Sequence, residues 1–184
     1  QSHINTFLKN HEGIIIANAE SQLLGNQPPA PHYRGDPLVG DNFKAPVASF
    51  EIWKKLKNEG CKAFKFEWGG ENPLIYLSDE KKLPKLLQPK DIGYANLCFL
   101  LGCSNWILAG NAFMNPWIHL QTKSQNYKPV SIGTTLIAEM SVVDFYEKKG
   151  HEFIEVNVNL FEDKSFQCCM SINLLAIFKL RNNK

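Results

Sequence analysis

Hydrophobic and polar positions change their rhythm near residue 90. The stretch "DIGYANLCFLLGCSNWILAGN", residues 91 to 111, repeats Ile92, Ala95, Phe99, Cys103 and Trp106 at spacings of three to four, while Leu97, Leu100, Leu101, Ile107 and Leu108 fill most of the remainder. This spacing predicts a helix over about 91–109, capped by Asp91 and stopped at Gly110-Asn111. A helix that is apolar nearly all round must be buried nearly all round. After it the period falls to two. "WIHLQTKSQNY" places Ile118, Leu120 and Thr122 on one face, so His119 falls on the other. "TTLIAEMSVVDFYEKKG" runs to a turn at Gly150. "HEFIEVNVNLFEDKS" aligns Ile154, Val156, Val158 and Leu160, and "FQCCMSINLLAIFKL" aligns Cys168, Met170, Ile172, Leu174, Ala176 and Phe178. Gly150 and Asp163-Lys164 mark tight hairpins, so these strands form an antiparallel meander. Strands this long curl, and nothing else in the chain is large enough to cover the helix, so the sheet must wrap it. The fold class is α+β.

The first half reads differently. Residues 1–49 are weakly patterned apart from the apolar patch Gly13–Ala17, and "GNQPPAPHYRGDPLVGDNFKAP" is too rich in proline and glycine for a long helix or a central strand. "SFEIWKKLKNEG" predicts a short amphipathic helix with Ser49 as cap and Gly60 as stop. "CKAFKFEW" alternates as a strand and turns at Gly69-Gly70, "NPLIYLS" can add another, and "DEKKLPKLLQPK" is a proline-broken connector. The expected division is an N-terminal extension or partial second unit with its linker, residues 1–88, and a main domain, residues 89–184.

Composition narrows the function classes. With 184 residues, 44% hydrophobic, 21% charged and a net charge of +2, the chain suits a globular domain with no basic stripe for nucleic acid. Five cysteines without a C-x-x-C spacing, four of them in apolar runs, read as reduced core thiols in a cytoplasmic protein rather than as a zinc site. No apolar run reaches the roughly 18 residues of a membrane span. Neither a metal nor a cofactor is expected.

The segment "KPVSIGTTLIAEMSVVDFYEKKGHEFIEVNVNLFEDKSFQCCMSINLLAIFKL", with its "PV..G..L" start, its "V.D.YEKKG..F..V.V" turn and its closing strand, resembles the second half of a MaoC-like hot-dog domain. The likeness covers about residues 89–181. The "HYRGDP" and "NFKAPVAS" segments look like the linker and remnant of a neighbouring element in double hot-dog relatives. What the resemblance implies is a hot-dog fold, a long antiparallel sheet around a central apolar helix. It also implies acyl thioesters of coenzyme A or acyl carrier protein as ligands, with hydratase, dehydratase or thioesterase chemistry. A homodimer, or a double hot-dog with the earlier residues, would close the open strand edges.

The same resemblance directs attention to the helix N-terminus, where oriented amide donors can meet a thioester carbonyl. There Gly93 would let a carbonyl approach the backbone, or would relieve packing against a strand, and Ile92 and Tyr94 flank it as substrate-binding candidates. The hydratase signature, Asp-x-Asn-Pro-x-His, has only a scrambled echo in "NAFMNPWIHLQT": Phe113 stands where the Asp should, and two residues separate Pro116 from His119. A thioesterase would use Asn96 and Asp91 on the helix and His119 on the next strand as catalytic candidates. Against this stand plainer readings: Asn96 as a satisfied buried amide, and His119 as a surface or interface residue. Without the acid and base pair, a catalytically silent hot-dog module remains open. His32, Arg34 and Asp36 can bind a phosphate or close their own loop.

Overall fold

A computed structural model describes residues 3–23, 25–68 and 93–181. In chain order the elements are β1 (His3–Lys9), β2 (Ile15–Gln22), α1 (Phe50–Glu59), β3 (Phe64–Glu67), α2 (Leu97–Asn111), β4 (Ile118–Asn126), β5 (Thr135–Lys148), β6 (His151–Glu162) and β7 (Cys168–Lys179). β1 pairs with β2 in a separate hairpin, and the other five strands form one antiparallel sheet in the order β3-β5-β6-β7-β4. The expected "NPLIYLS" strand, the Gly69-Gly70 turn and the charged connector lie outside the described residues.

The period-two pattern builds the sheet as expected. Lys149 and Gly150, both at positive φ, make the two-residue turn between β5 and β6, whose mirror-image geometry suits the right-handed twist of long strands. A register shift between Val142 and Asp144 bulges β5 and bends the sheet. Leu136, Ala138 and Met140 of β5, Ile154, Val156, Val158 and Leu160 of β6, and Met170, Ile172 and Leu174 of β7 all bury on the face that receives α2. From the helix, Phe99, Leu100, Cys103, Ile107 and Leu108 meet them. At roughly 1.5–3 kcal/mol for each fully buried aliphatic or aromatic side chain, this contact stabilises the fold substantially. Sheet, helix and strand order together make the hot-dog fold.

α1 forms as its sequence predicts: the Ser49 hydroxyl accepts from the Ile52 amide at 3.3 Å, and Gly60, at φ 91°, donates to the Leu56 carbonyl. Its Trp53 is fully buried and its Phe50 ring lies 5.7 Å from Phe145. α1 and β3 therefore share the sheet and core of β4–β7.

The central helix is displaced from its expected span. Residues 93–96 are not helical and α2 runs from Leu97 to Asn111, so its cap is Asn96 rather than Asp91. Gly93 at φ +66° and the Tyr94–Ser131 bridge hold the preceding segment extended instead. At the other end Gly110 does not stop the helix. It lets α2 close onto β3, since a Cβ there would lie 2.5 Å from the Phe64 ring. The chain then leaves through a cis Asn115–Pro116 bond to β4.

The opposite sheet face carries the proline-rich segment. Glu139, fully buried, accepts from the backbone amides of Arg34, Gly35 and Asp36 at 3.0, 2.7 and 2.8 Å. Arg34 pairs with Asp36 and donates to the Met140 carbonyl. The loop in "HYRGDP" thus holds a carboxylate of the chain itself through its backbone amides, while Arg34 and Asp36 pair locally.

Candidate functional site

The N-terminal end of α2 is built by Asn96. Its backbone is extended, at φ −77° and ψ 161°, and its side-chain oxygen accepts from the Phe99 amide at 2.9 Å. By helix geometry this leaves the Leu97 and Cys98 amides without an intrahelical acceptor. The first turn carries no acidic residue to answer the positive end of the helix dipole. The rest of the Asn96 side chain is the unusual part: the residue is 2% exposed and its Nδ2 has no hydrogen-bond partner among the described residues. A buried amide donor left unpaired costs about 1–3 kcal/mol.

A second orphan donor lies close by. The Trp68 indole nitrogen is buried without an acceptor among the described residues, and its ring centroid sits 4.9 Å from that of Phe99, the residue Asn96 caps. The segment before the helix is zipped to the loop entering β5: the Ala95 amide donates to the Val130 carbonyl at 2.7 Å and the Ile132 amide to Gly93 at 3.0 Å. Gly93 therefore serves a backbone conformation, and space for 4 Å around its missing Cβ is open rather than packed against a strand. Tyr94 and Leu97 are exposed beside it. Asp91 and Ile92 lie outside the described residues.

His119 is elsewhere. A register shift between His119 and Gln121 pairs His119 with Ala176 and Thr122 with Leu174, so both face the helix side of the sheet. The even alternation expected for Ile118, Leu120 and Thr122 is broken by this bulge, and His119 does not point away from the helix as that alternation required. Its Nε2 hydrogen-bonds the Thr122 hydroxyl, and its ring lies 6.1 Å from Trp117. Burial pulls its pKa below the ordinary 6.5, with the Gln121 backbone opposing, so the ring is neutral near pH 7. The segment entering the helix is tied through the Ala95 amide to Val130, on the chain that leaves the other end of β4, where Asn126 pairs with Met170 and the Tyr127 amide donates to Cys169. Six residues of β7 separate Met170 from Ala176, about 20 Å. One chain does not bring Asn96 and His119 together.

Three of the thiols are unsuited to nucleophilic work. Burial pushes Cys61 and Cys103 up to about 12 and Cys168 up to about 11. No group of three metal-binding side chains occurs among the described residues. No helix among them is long and apolar enough to cross a membrane. Two cavities, of about 450 Å³ beside Asn157 and Asn173 and about 410 Å³ beside Tyr33 and Phe166, lie away from Asn96.

Trp68 and Glu139 were not anticipated from sequence. A tryptophan ending an alternating strand carries one signal, the indole N–H that burial obliges to find a partner. Glu139 carries another, a charge within an otherwise apolar strand.

These features define an α+β hot-dog protein with a donor-lined helix terminus. No family model matches the chain, and neither does any curated protein. Solved structures of similar outline include the R-hydratase from Pseudomonas aeruginosa, at TM-score 0.48 and 9% identity over 65% of this chain and 79% of that one. Another is a truncated 3R-hydroxyacyl-ACP dehydratase complex from Mycobacterium tuberculosis, at TM-score 0.47 and 16% identity over 61% and 89%. A Streptococcus mutans protein bound to acetyl CoA is similar at TM-score 0.45 and 14% identity over 78% and 96%. At these values the likeness is one of outline and says nothing of chemistry.

Proposed function

We propose that the protein binds acyl thioesters of coenzyme A or acyl carrier protein at the N-terminal end of α2, as a cytoplasmic MaoC-like hot-dog protein. The observation that carries the reading is the buried, unpartnered Nδ2 of Asn96 beside two first-turn amides. Three N–H donors at one helix terminus would suit a carbonyl oxygen, and suit it better as negative charge develops there. Gly93 and Tyr94 would border the ligand, with Ile92 before them.

As a thioesterase the site would polarise the carbonyl while a base takes a proton from attacking water, the thiolate leaving with a proton. Asp91 is the carboxylate this reading uses. A diverged hydratase or dehydratase would use the same donors on a 2-enoyl thioester. The second reading is a silent binding module. It is favoured by the place of His119, at the end of β4 paired with Ala176, while the segment before α2 is tied to the chain beyond the opposite end of β4.

The test is a panel of saturated and 2-enoyl coenzyme A esters against the purified protein and Asn96→Ala, Asn96→Asp and His119→Ala. Turnover lost in the Asn96 variants supports the enzyme, and binding without turnover supports the module. Turnover retained by both Asn96 variants contradicts the site.

A further inference from the structure

Three asparagines stand mid-strand in β6 and β7, two interior strands of the sheet, where that residue type is ordinarily scarce. Asn157 and Asn159 alternate with the buried Val156 and Val158, and Asn173 lies between the buried Ile172 and Leu174. All three therefore look out from the face turned away from α2. Pairing sets Asn157 beside Asn173 and Asn159 beside Ser171. Valine or threonine would build these strands better, so the asparagines weaken the sheet they stand in.

Together with Ser141 of β5 and Lys123 of β4 they line a cavity of about 450 Å³, and among the residues lining it Lys123 alone is charged. Two residues back along β6 the same face turns acidic at Glu155, which pairs with Asp144. Asn173 Nδ2 donates to Glu155 at 2.8 Å and to the Asn157 side-chain oxygen at 3.0 Å. That leaves the Asn173 oxygen and the Asn157 amide group side by side, an acceptor next to a donor. Asn159, Ser141 and Ser171 are half-buried, and their side chains have no hydrogen-bond partner among the described residues.

A second cavity, of about 410 Å³, adjoins the first through Pro31, which lines both. Its walls include the rings of Tyr33, Tyr127 and Phe166. Phe166 sits at φ +54°, a left-handed backbone that a bulky residue adopts only with strain. Its ring stacks on Tyr33 at 4.5 Å and the residue remains 48% exposed. Lys128, at the same wall, is already engaged by Glu162 at 2.6 Å and Gln167 at 3.1 Å.

We propose that these two cavities are adjoining subsites for a neutral oligosaccharide. A sugar hydroxyl both donates and accepts, as do the carboxamides and hydroxyls of the first cavity. The carbon face of a pyranose ring is flat and apolar, and suits the exposed side of the Phe166 ring and the ring of Pro31. A phosphate, sulfate or carboxylate would call for free guanidinium or ammonium groups, which the two cavities largely lack. Each volume falls within the range of small-ligand sites. The inference stands apart from the thioester reading, since the cavities open on the other face of the sheet.

Isothermal titration of the whole chain tests it, with neutral di- and trisaccharides of glucose, galactose and N-acetylglucosamine beside a sulfated disaccharide and adenosine. At least one neutral sugar should bind with Kd below about 1 mM. Asn157→Thr and Asn159→Thr should each weaken that binding about 10-fold, yet melt at or above the wild-type temperature, since threonine suits a strand. Phe166→Gly, which removes the ring and accepts the positive φ, should weaken it as well. A chain that binds no neutral sugar of the panel overturns the proposal. So does tighter binding of the sulfated sugar or of adenosine, or sugar binding that all three variants retain.

Discussion

Two buried asparagines close the two ends of α2, and they are used in opposite ways. Asn111 spends its whole amide: its oxygen accepts from the Lys62 backbone at 2.8 Å, and its Nδ2 donates to the Lys62 and Ile107 carbonyls at 2.9 and 3.1 Å. Asn96 spends only its oxygen, on Phe99, and leaves Nδ2 unpaired. The same residue type, equally buried on the same helix, is structural where every polar atom is matched and a candidate site where one is not. The contrast marks a candidate where no sequence motif does.

The comparison breaks first at its satisfied end. Asn111→Leu strands both Lys62 backbone groups, and a loss of about 3 kcal/mol is expected by urea unfolding. Asn96→Asp acts the other way. Aspartate also caps helices, so stability should change by less than about 1 kcal/mol, while thioester affinity or turnover should fall about 100-fold because the donor is gone. A large stability loss with ligand handling intact would reverse the two roles. Gly110→Ala forces the Phe64 ring aside and should cost about 2 kcal/mol with ligand affinity unchanged.

The smallest effect is expected at His119. His119→Ala should alter stability by under about 0.5 kcal/mol. Because its folded pKa lies below the unfolded 6.5, the neutral form is favoured in the native state. Its contribution is present above 6.5 and is lost as pH falls through the folded value. Proton NMR should show the imidazole titrating below 6.5, and His119→Ala should flatten that acid dependence.

How much of this was legible beforehand follows from the kind of interaction involved. The period-two runs of β5, β6 and β7 and the all-round apolarity of α2 gave the sheet and its helix, because a buried face shows directly in residue spacing. The Ser49 and Gly60 boundaries of α1 were legible because capping is local chemistry. The start of α2 was not: an aspartate after a proline and an asparagine five residues later are equally good caps, and Gly93 with the Val130–Ile132 pairing decides between them. The face of His119 was missed because a bulge shifts parity without leaving a mark in composition. β1–β2 escaped notice since its small Ala, Thr and Ser positions dilute the alternation. Asn96 itself was singled out as a polar residue in an apolar run, but whether its amide was matched is a three-dimensional question.

The central claim is that Asn96 Nδ2 and the first turn of α2 receive a thioester carbonyl, and difference infrared spectroscopy of a bound, carbonyl-labelled acyl thioester tests it most directly. The carbonyl stretch should move to lower frequency on binding and return most of the way toward the free value in Asn96→Asp. A bound carbonyl that stays at its free frequency, or one shifted equally in the variant, would contradict it.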